Sequence, residues 1–210
     1  FIVFLVFLFS ALQPALKIEK DKEAILEYIT NSIIELSSDN ITIENVVVDN
    51  TDYDCVGVEK LESDENILVK NSNEKIISYN INSKIIIPIP QGVKSLLKIY
   101  YSKSIDQVLT QPVCNKIKTD PVIGFINKET VVFISKFDEI INEDYNLLRK
   151  DLGISKTIEF SFSLLDADKV KIAGMDTKDV STNIYVNEFP VLYSNENGEI
   201  KLGFINVKVW

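Results

Sequence analysis

The chain has 210 residues, a net charge of −9 and an isoelectric point near 4.7. An acidic surface of this kind repels phosphate, so we expect no binding of nucleic acid or of anionic lipid through the charged part of the chain. The chain contains no His, which excludes His-based triads and His metal ligands, and it has neither a GxxxxGKS/T loop nor a GxGxxG run. We therefore predict no enzyme activity, no catalytic residues, no cofactor and no metal site.

The chain opens with an uncharged apolar segment from Phe1 to Leu16, and all 22 basic and 31 acidic residues follow it. The segment has no Met or basic stretch before it, which favours a processed chain that retains it. As a helix it would be about 24 Å long, somewhat short of the ~20 residues that cross a bilayer core. A helix that is apolar on all sides is buried on all sides. We predict that copies of the chain assemble through the side chains of Phe1, Ile2, Phe4, Leu5, Leu8, Phe9, Leu12 and Leu16.

An amphipathic helix is predicted next, because apolar residues recur every three or four positions over Lys17–Leu36. Pro14 lies between the two halves and should kink the helix, since its ring removes a backbone donor. The residues from 37 to 40 favour turns and should end the helix. We expect 1–40 to form an assembly helix and 41–210 to form one head domain.

The remainder of the chain alternates between apolar and polar residues, a pattern typical of β-strands. One helix is predicted from Lys136 to about Leu152, with Gly153 as its stop. Asn197 and Gly198 predict a hairpin with positive φ at both residues. The predicted fold class is α+β, a long N-terminal hydrophobic helix followed by a β-rich, sandwich-like globular head in a lollipop architecture. Strands are predicted near residues 41–48, 66–70, 75–80, 84–89, 96–101, 130–135, 157–165, 183–193 and 199–209.

Two cysteines, Cys55 and Cys114, each lie beside strand-like sequence and favour a disulfide over the alternative of two buried free thiols. In the chain-entropy model, a disulfide that closes so long a loop adds roughly 4 kcal/mol to the free energy of unfolding. Asn40 begins the Asn-Ile-Thr sequon of the chain and is a candidate for glycosylation at the junction between helix and head.

Two pairs of acidic residues offer oxygen ligands for calcium: Asp52 with Asp54, and Asp166 with Asp168. Neither pair has the ligand spacing or the bidentate Glu of an EF-hand loop, so solvated carboxylates in turns are favoured. A glycosidase pair is the other alternative, but no aromatic platform for a sugar accompanies these acids.

The start of the chain, Phe1-Ile-Val-Phe, followed by an uncharged helix, an amphipathic helix and a β-rich region, resembles the type IV pilin superfamily over roughly the first forty residues. Leu5 occupies the position at which bacterial type IV pilins generally carry Glu, so the chain is more similar to archaeal pilin-like proteins. The resemblance implies a short leader of the class III signal peptide type, which a prepilin peptidase removes before Phe1. It also implies residence in the cytoplasmic membrane before an ATPase-driven platform assembles the subunits.

These features predict a structural protein, a pilin that polymerises through its N-terminal helix into an extracellular filament on the cell surface. Its partners would be copies of itself, together with the peptidase and the platform during biogenesis. One alternative is a membrane-anchored surface or envelope protein with a binding role. Another is a minor pilin at the filament tip that serves cell adhesion.

Overall fold

The structure is a computed structural model that describes residues 22–49, 52–62, 64–81, 83–110, 112–175 and 184–210. The predicted assembly residues between Phe1 and Leu16, and the expected kink at Pro14, therefore lie outside the described residues. No helix in the described ranges is long and apolar enough to cross a membrane.

The predicted fold class, an α+β lollipop with a long N-terminal hydrophobic helix, is wrong. The structure is mostly β, with 48% of residues in strands and 18% in helices, and nine strands are joined in one sheet. The first helix, α1, comprises residues 22–37 of the described chain. It buries a single stripe formed by Leu26, Ile29 and Ile33. A helix with one buried stripe packs against its own protein along that stripe.

The chain forms two compact units. The disulfide unit comprises the described residues within Ser38–Ser135 and Tyr193–Ile200, and the helical unit comprises those within Phe1–Ser37, Lys136–Leu192 and Lys201–Trp210. The two units are defined by compactness. The predicted division into an assembly helix, 1–40, and a head domain, 41–210, was made on a different basis, and it stays a prediction.

The disulfide unit contains five strands in the hydrogen-bonded order β9-β1-β7-β3-β4 and a second sheet in the order β5-β6-β2-β8. Side chains from both sheets form one core, which includes Val46, Val56, Ile67, Ile87 and Ile99. The strands are β1 (Ser38–Val48), β2 (Cys55–Val58), β3 (Asn66–Asn71), β4 (Ile76–Ile77), β5 (Asn80–Ile81), β6 (Ile85–Pro88), β7 (Ser95–Ser102), β8 (Ile117–Lys118) and β9 (Val122–Phe133).

The helical unit contains α1, most of α2, all of α3 and strands in the order β11-β10-β13-β12. Phe137 of α2 contacts Phe162 of β10 edge to face, with ring centroids 5.4 Å apart. Both rings are almost fully buried, so this pair lies in the core of the unit. The elements are α2 (Ile134–Asn142), α3 (Tyr145–Asp151), β10 (Phe160–Asp166), β11 (Lys171–Gly174), β12 (Tyr185–Ser194) and β13 (Ile200–Val209).

The helix predicted from Lys136 to Leu152 is two helices in the structure. The break lies at Asp144, whose carboxylate accepts hydrogen bonds from the backbone N–H groups of Asn146 (2.9 Å) and Leu147 (3.1 Å). An Asp in extended conformation that accepts these bonds caps the start of a new helix. The apolar periodicity was correct, but this cap was not recognised.

The hairpin between β12 and β13 also differs from the prediction. Its loop runs from Asn195 to Glu199, and Gly198 has a φ of 63°, whereas Asn197 is not among the described residues with positive φ. The Gly198 N–H donates to the Asn195 carbonyl at 3.0 Å, and the Asn195 side chain accepts from the N–H groups of Asn197 and Glu199. The side chain of Asn195 thus organises a longer loop, and the predicted type I′ turn is wrong.

Candidate functional site

The structure joins Cys55 and Cys114 in a disulfide, with their Cα atoms 5.8 Å apart. Cys55 begins β2 and is 1% exposed, and Cys114 lies in the loop before β8. Next to the disulfide, the Asp54 carboxylate accepts from the backbone N–H groups of Asn115 and Lys116, both at 2.8 Å. These bonds lower the pKa of Asp54. Asp54 therefore fastens the loop that carries Cys114.

The second acidic pair is also engaged with the backbone. Asp166 Oδ1 accepts from the N–H groups of Asp168 at 2.9 Å and Val170 at 2.8 Å, and so it closes the turn between β10 and β11. Within the described ranges, no group of three or more acidic or Cys residues is arranged to hold a metal ion.

Asn40 is exposed on β1, where its Oδ1 accepts a hydrogen bond from Thr130 Oγ1 of β9 at 3.1 Å. Thr42, the third residue of the sequon, is 3% exposed and lies within the sheet. An attachment at Asn40 would therefore be made more easily before this part of the sheet folds, and glycosylation stays a prediction.

A cavity of about 310 Å³ lies in the helical unit. Tyr145 donates to Glu159 Oε2 at 2.7 Å, and Arg149 contacts Glu159 Oε1 at 3.3 Å. Burial raises the pKa of Tyr145 to about 12, so its hydroxyl stays protonated near neutral pH. The three side chains hold α3 against the start of β10, which makes a structural role the simplest account of them. The cavity is lined by Tyr145, Asn146, Arg149, Glu159, Phe160, Met175 and Trp210.

Two ionisable side chains are almost fully buried in the disulfide unit. Glu44 is 2% exposed and accepts from the Tyr101 hydroxyl at 2.6 Å, and burial raises its pKa although this bond opposes the shift. Lys70 is also 2% exposed, and its ammonium donates to the Gly198 carbonyl at 2.9 Å. Its Nζ lies 5.1 Å from the centre of the Tyr100 ring, and burial lowers its pKa.

The most exposed apolar stretch of the disulfide unit is the N-terminal part of β9, which we name the β9 edge and define as residues 122–130. Its apolar side chains are Val122 (62% exposed), Ile123 (44%), Phe125 (70%) and Ile126 (46%). Consecutive large apolar side chains that stay exposed mark an interaction surface. The β9 edge is therefore the candidate functional surface of the described chain.

A β-bulge shapes this surface. Val46 of β1 pairs with Ile123, and Glu44 pairs with Ile126, so Asn45 lies opposite both Gly124 and Phe125. Asn45 Nδ2 donates to the Phe125 carbonyl at 3.1 Å. A Cβ atom at Gly124 would approach the Asn45 carbonyl to 3.1 Å, a tight contact. The small residue and the amide together allow the bulge.

The β9 edge was not predicted, because the only strand predicted in this region covers residues 130–135. The run Val122-Ile-Gly-Phe-Ile126 lacks the alternation of a strand with one buried face, and its Gly weakens the strand pattern. An unbroken apolar run beside a strand was the available signal.

Comparisons with protein-family models, with curated proteins and with solved structures found no match for this chain.

Proposed function

We propose that the chain is a structural subunit of an extracellular filament of the archaeal type IV pilus kind, and that the segment from Phe1 to Leu16 joins the subunits. The observation that carries this proposal is the charge distribution, because no charged residue occurs before Lys17 in a chain of net charge −9. Eleven large apolar side chains in that segment represent roughly 15 to 30 kcal/mol of gross free energy when they leave water.

The disulfide supports a location outside the cytoplasm, because such bonds persist in oxidising compartments. Before assembly, the apolar segment would reside in the cytoplasmic membrane, and a prepilin peptidase and an assembly platform would process and extract the subunit. Contacts between unlike surfaces of identical subunits propagate as a helix when the rotation does not close a ring.

The test is to express the full chain with Leu8→Asp and to examine sheared cell-surface material by electron microscopy and sedimentation. An aspartate buried among neighbouring subunits lacks water and a counter-charge, and such burial costs several kcal/mol per subunit. We expect filaments from the unmodified chain and none from the variant. Gln13→Asn is the matched control, since it changes the same segment without adding charge.

Filaments of normal length that carry Leu8→Asp in every subunit would refute the proposal. Detergent-soluble monomers from the unmodified chain, with no sedimenting polymer, would favour the membrane-anchored surface protein instead. A single membrane segment tolerates the charge better, because it can shift to bring the carboxylate toward the interface.

A further inference from the structure

The loop between β12 and β13 contains Asn197 followed by Gly198, the single Asn-Gly pair of the chain. In such a pair the amide nitrogen of the glycine can attack the side-chain carbonyl carbon of the asparagine, because glycine has no Cβ to hinder the approach. Asn197 is exposed to water, so ammonia can leave its side chain and water can reach it. The loop therefore carries both reacting groups of a spontaneous deamidation.

The reaction has two steps and needs no reagent other than water. In the first step a bond forms between the Gly198 nitrogen and Asn197 Cγ, the bond from Cγ to Nδ2 breaks, and ammonia leaves with the proton of the Gly198 amide. In the second step water opens the five-membered succinimide ring at one of its two carbonyl carbons. Opening at Cγ gives aspartate. Opening at the backbone carbonyl carbon gives isoaspartate, in which the main chain runs through the former side chain.

The folded loop holds the attacking nitrogen away from its target. The Gly198 N–H donates to the Asn195 carbonyl at 3.0 Å, which closes a four-residue turn. Neither central residue of this turn, Glu196 or Asn197, has positive φ. A hydrogen-bonded turn with this backbone is of type I, in which ψ of the third residue is about 0°. At that ψ the Gly198 nitrogen eclipses the nitrogen of Asn197 itself, whereas closure of the ring requires it beside Cβ.

The side chain of Asn195 stabilises this turn. Its Oδ1 accepts from the backbone N–H groups of Asn197 and Glu199, both at 3.1 Å, which is how an asparagine fixes the backbone that follows it. The Asp106 N–H donates to the Glu196 carbonyl at 3.1 Å and ties the turn to the loop after β7. Asn195 thus fixes the backbone on both sides of the reactive pair.

The carbonyl of Gly198 gives the reaction a structural consequence. Lys70 is 2% exposed, and its ammonium donates to this carbonyl at 2.9 Å. Gly198 is itself buried, and a Cβ atom there would lie only 3.0 Å from Leu68. Isoaspartate at position 197 inserts one carbon into the main chain directly before Gly198, so it moves the carbonyl away from the ammonium. A buried ammonium that loses its acceptor destabilises the fold around it.

We propose that Asn197 is a deamidation site of this chain, which Asn195 keeps closed in the folded protein and which opens when the loop is released. The loss of ammonia is irreversible, so isoaspartate at this position permanently marks a chain whose loop has opened. The site acts within one subunit and does not depend on whether the chain forms filaments.

The test incubates the full chain in mild detergent at mildly alkaline pH, in water enriched in ¹⁸O, which labels the carboxyl group that each conversion creates. Mass spectrometry of the peptide that contains Asn197 then measures asparagine, aspartate and isoaspartate over time. We expect the folded chain to convert roughly tenfold more slowly, or slower still, than the same chain unfolded in guanidinium chloride, because the bonds of the turn must first break.

Three variants assign the protection to Asn195. Asn195→Ala removes the acceptor and should raise the rate in the folded chain roughly tenfold, with no change in guanidinium chloride. Asn195→Asp keeps an acceptor oxygen and should restore the slow rate. Glu199→Gln is the matched control, because Glu199 Oε2 accepts from Asn195 Nδ2 at 3.3 Å but takes no part in the turn's backbone bonds, and it should leave the rate unchanged.

Equal rates in the folded and the unfolded chain would overturn the proposal, and so would an absence of conversion in guanidinium chloride. An unchanged rate in Asn195→Ala, with the disulfide and the circular dichroism spectrum retained, would overturn the role of Asn195. Hydrogen exchange tests the consequence: in chains that carry isoaspartate, the β3 peptide with Lys70 should exchange faster than in unconverted chains. Equal exchange in the two forms would refute the link to the Lys70 ammonium.

Discussion

Removal of the disulfide should destabilise the disulfide unit by a predictable amount. The bond joins residues 59 positions apart. In the chain-entropy model, a loop of that length restricts the unfolded chain by about 14 cal/mol/K, which corresponds to about 4 kcal/mol at 25 °C. The variant Cys55→Ala with Cys114→Ala avoids placing an unpaired hydroxyl at the buried Cys55 position. The folded state should remain intact, because Asp54 still holds the loop through two backbone bonds.

The assay is hydrogen–deuterium exchange of the full chain across a urea series, resolved by peptide. Peptides from β1, β3 and β7 report on the disulfide unit, and peptides from β10 and β13 report on the helical unit in the same sample. We expect the free energy of the opening that permits exchange to fall by about 4 kcal/mol in the first set of peptides and to change little in the second set. The urea dependence of the first set should also steepen, since an unfolded chain without the crosslink exposes more surface.

A loss below about 1 kcal/mol would refute this reasoning. An equal loss in both sets of peptides would show that the two units unfold together, and the entropy of one loop would then not describe the effect. Reduction of the unmodified chain with dithiothreitol is the control, and it should reproduce the double variant.

Three further changes test the buried groups and the helix cap. Glu44→Gln should stabilise the chain at pH 7 but have little effect near pH 4. The pKa of Glu44 is raised in the folded state, which means that folding favours the protonated carboxyl. Ionisation of this carboxyl therefore lowers the stability of the unmodified chain as the pH rises through that pKa. Chemical denaturation at both pH values measures this, and a lower stability of the variant at pH 7 would contradict it. Lys70→Met should lower the free energy of unfolding, measured in urea, by about 1–3 kcal/mol, because the buried Gly198 carbonyl loses its hydrogen-bond donor. A loss no larger than that of Lys75→Met, the control at an exposed site, would contradict this prediction. Asp144→Ala should destabilise α3 by about 1 kcal/mol, because the helix loses its N-cap. The measurement is hydrogen exchange, which should become faster in α3 but not in α1. Unchanged exchange in α3 would show that its cap is dispensable.

The strands that sequence alone located best have buried residues on both faces and clear ends. The predicted strand 66–70 corresponds to β3, and the predicted strand 96–101 corresponds to β7, each within one residue at either end. Both lie in the interior of a sheet, so alternation along the sequence reflects alternation between two packed environments.

The elements that were missed depend on partners far away in sequence. β2 and β8 are short, and they pair in parallel from Cys55 opposite Ile117. The predicted strand 75–80 is divided between β4 and β5, which lie in different sheets. Nothing local in such segments indicates which sheet they join, because a short strand is stabilised by its neighbours.

The candidate surface illustrates a different limit. Apolar residues are usually read as core, and whether Val122 and Phe125 are buried depends on whether a strand or a helix covers them. Their exposure could not be derived from residue type. The pairing of Cys55 with Cys114 was accessible because the chain contains only two cysteines.

The bond from Lys70 to the Gly198 carbonyl also constrains how this protein is made. Its two residues are 128 positions apart, and the loop that supplies the carbonyl belongs to the same compact unit as β1 to β9. During synthesis the first nine strands emerge from the ribosome well before residue 198 does, so the Lys70 ammonium has no carbonyl to bond while it waits. Completion of this unit is therefore delayed until residue 198 has been released. The growing chain must remain soluble through that interval.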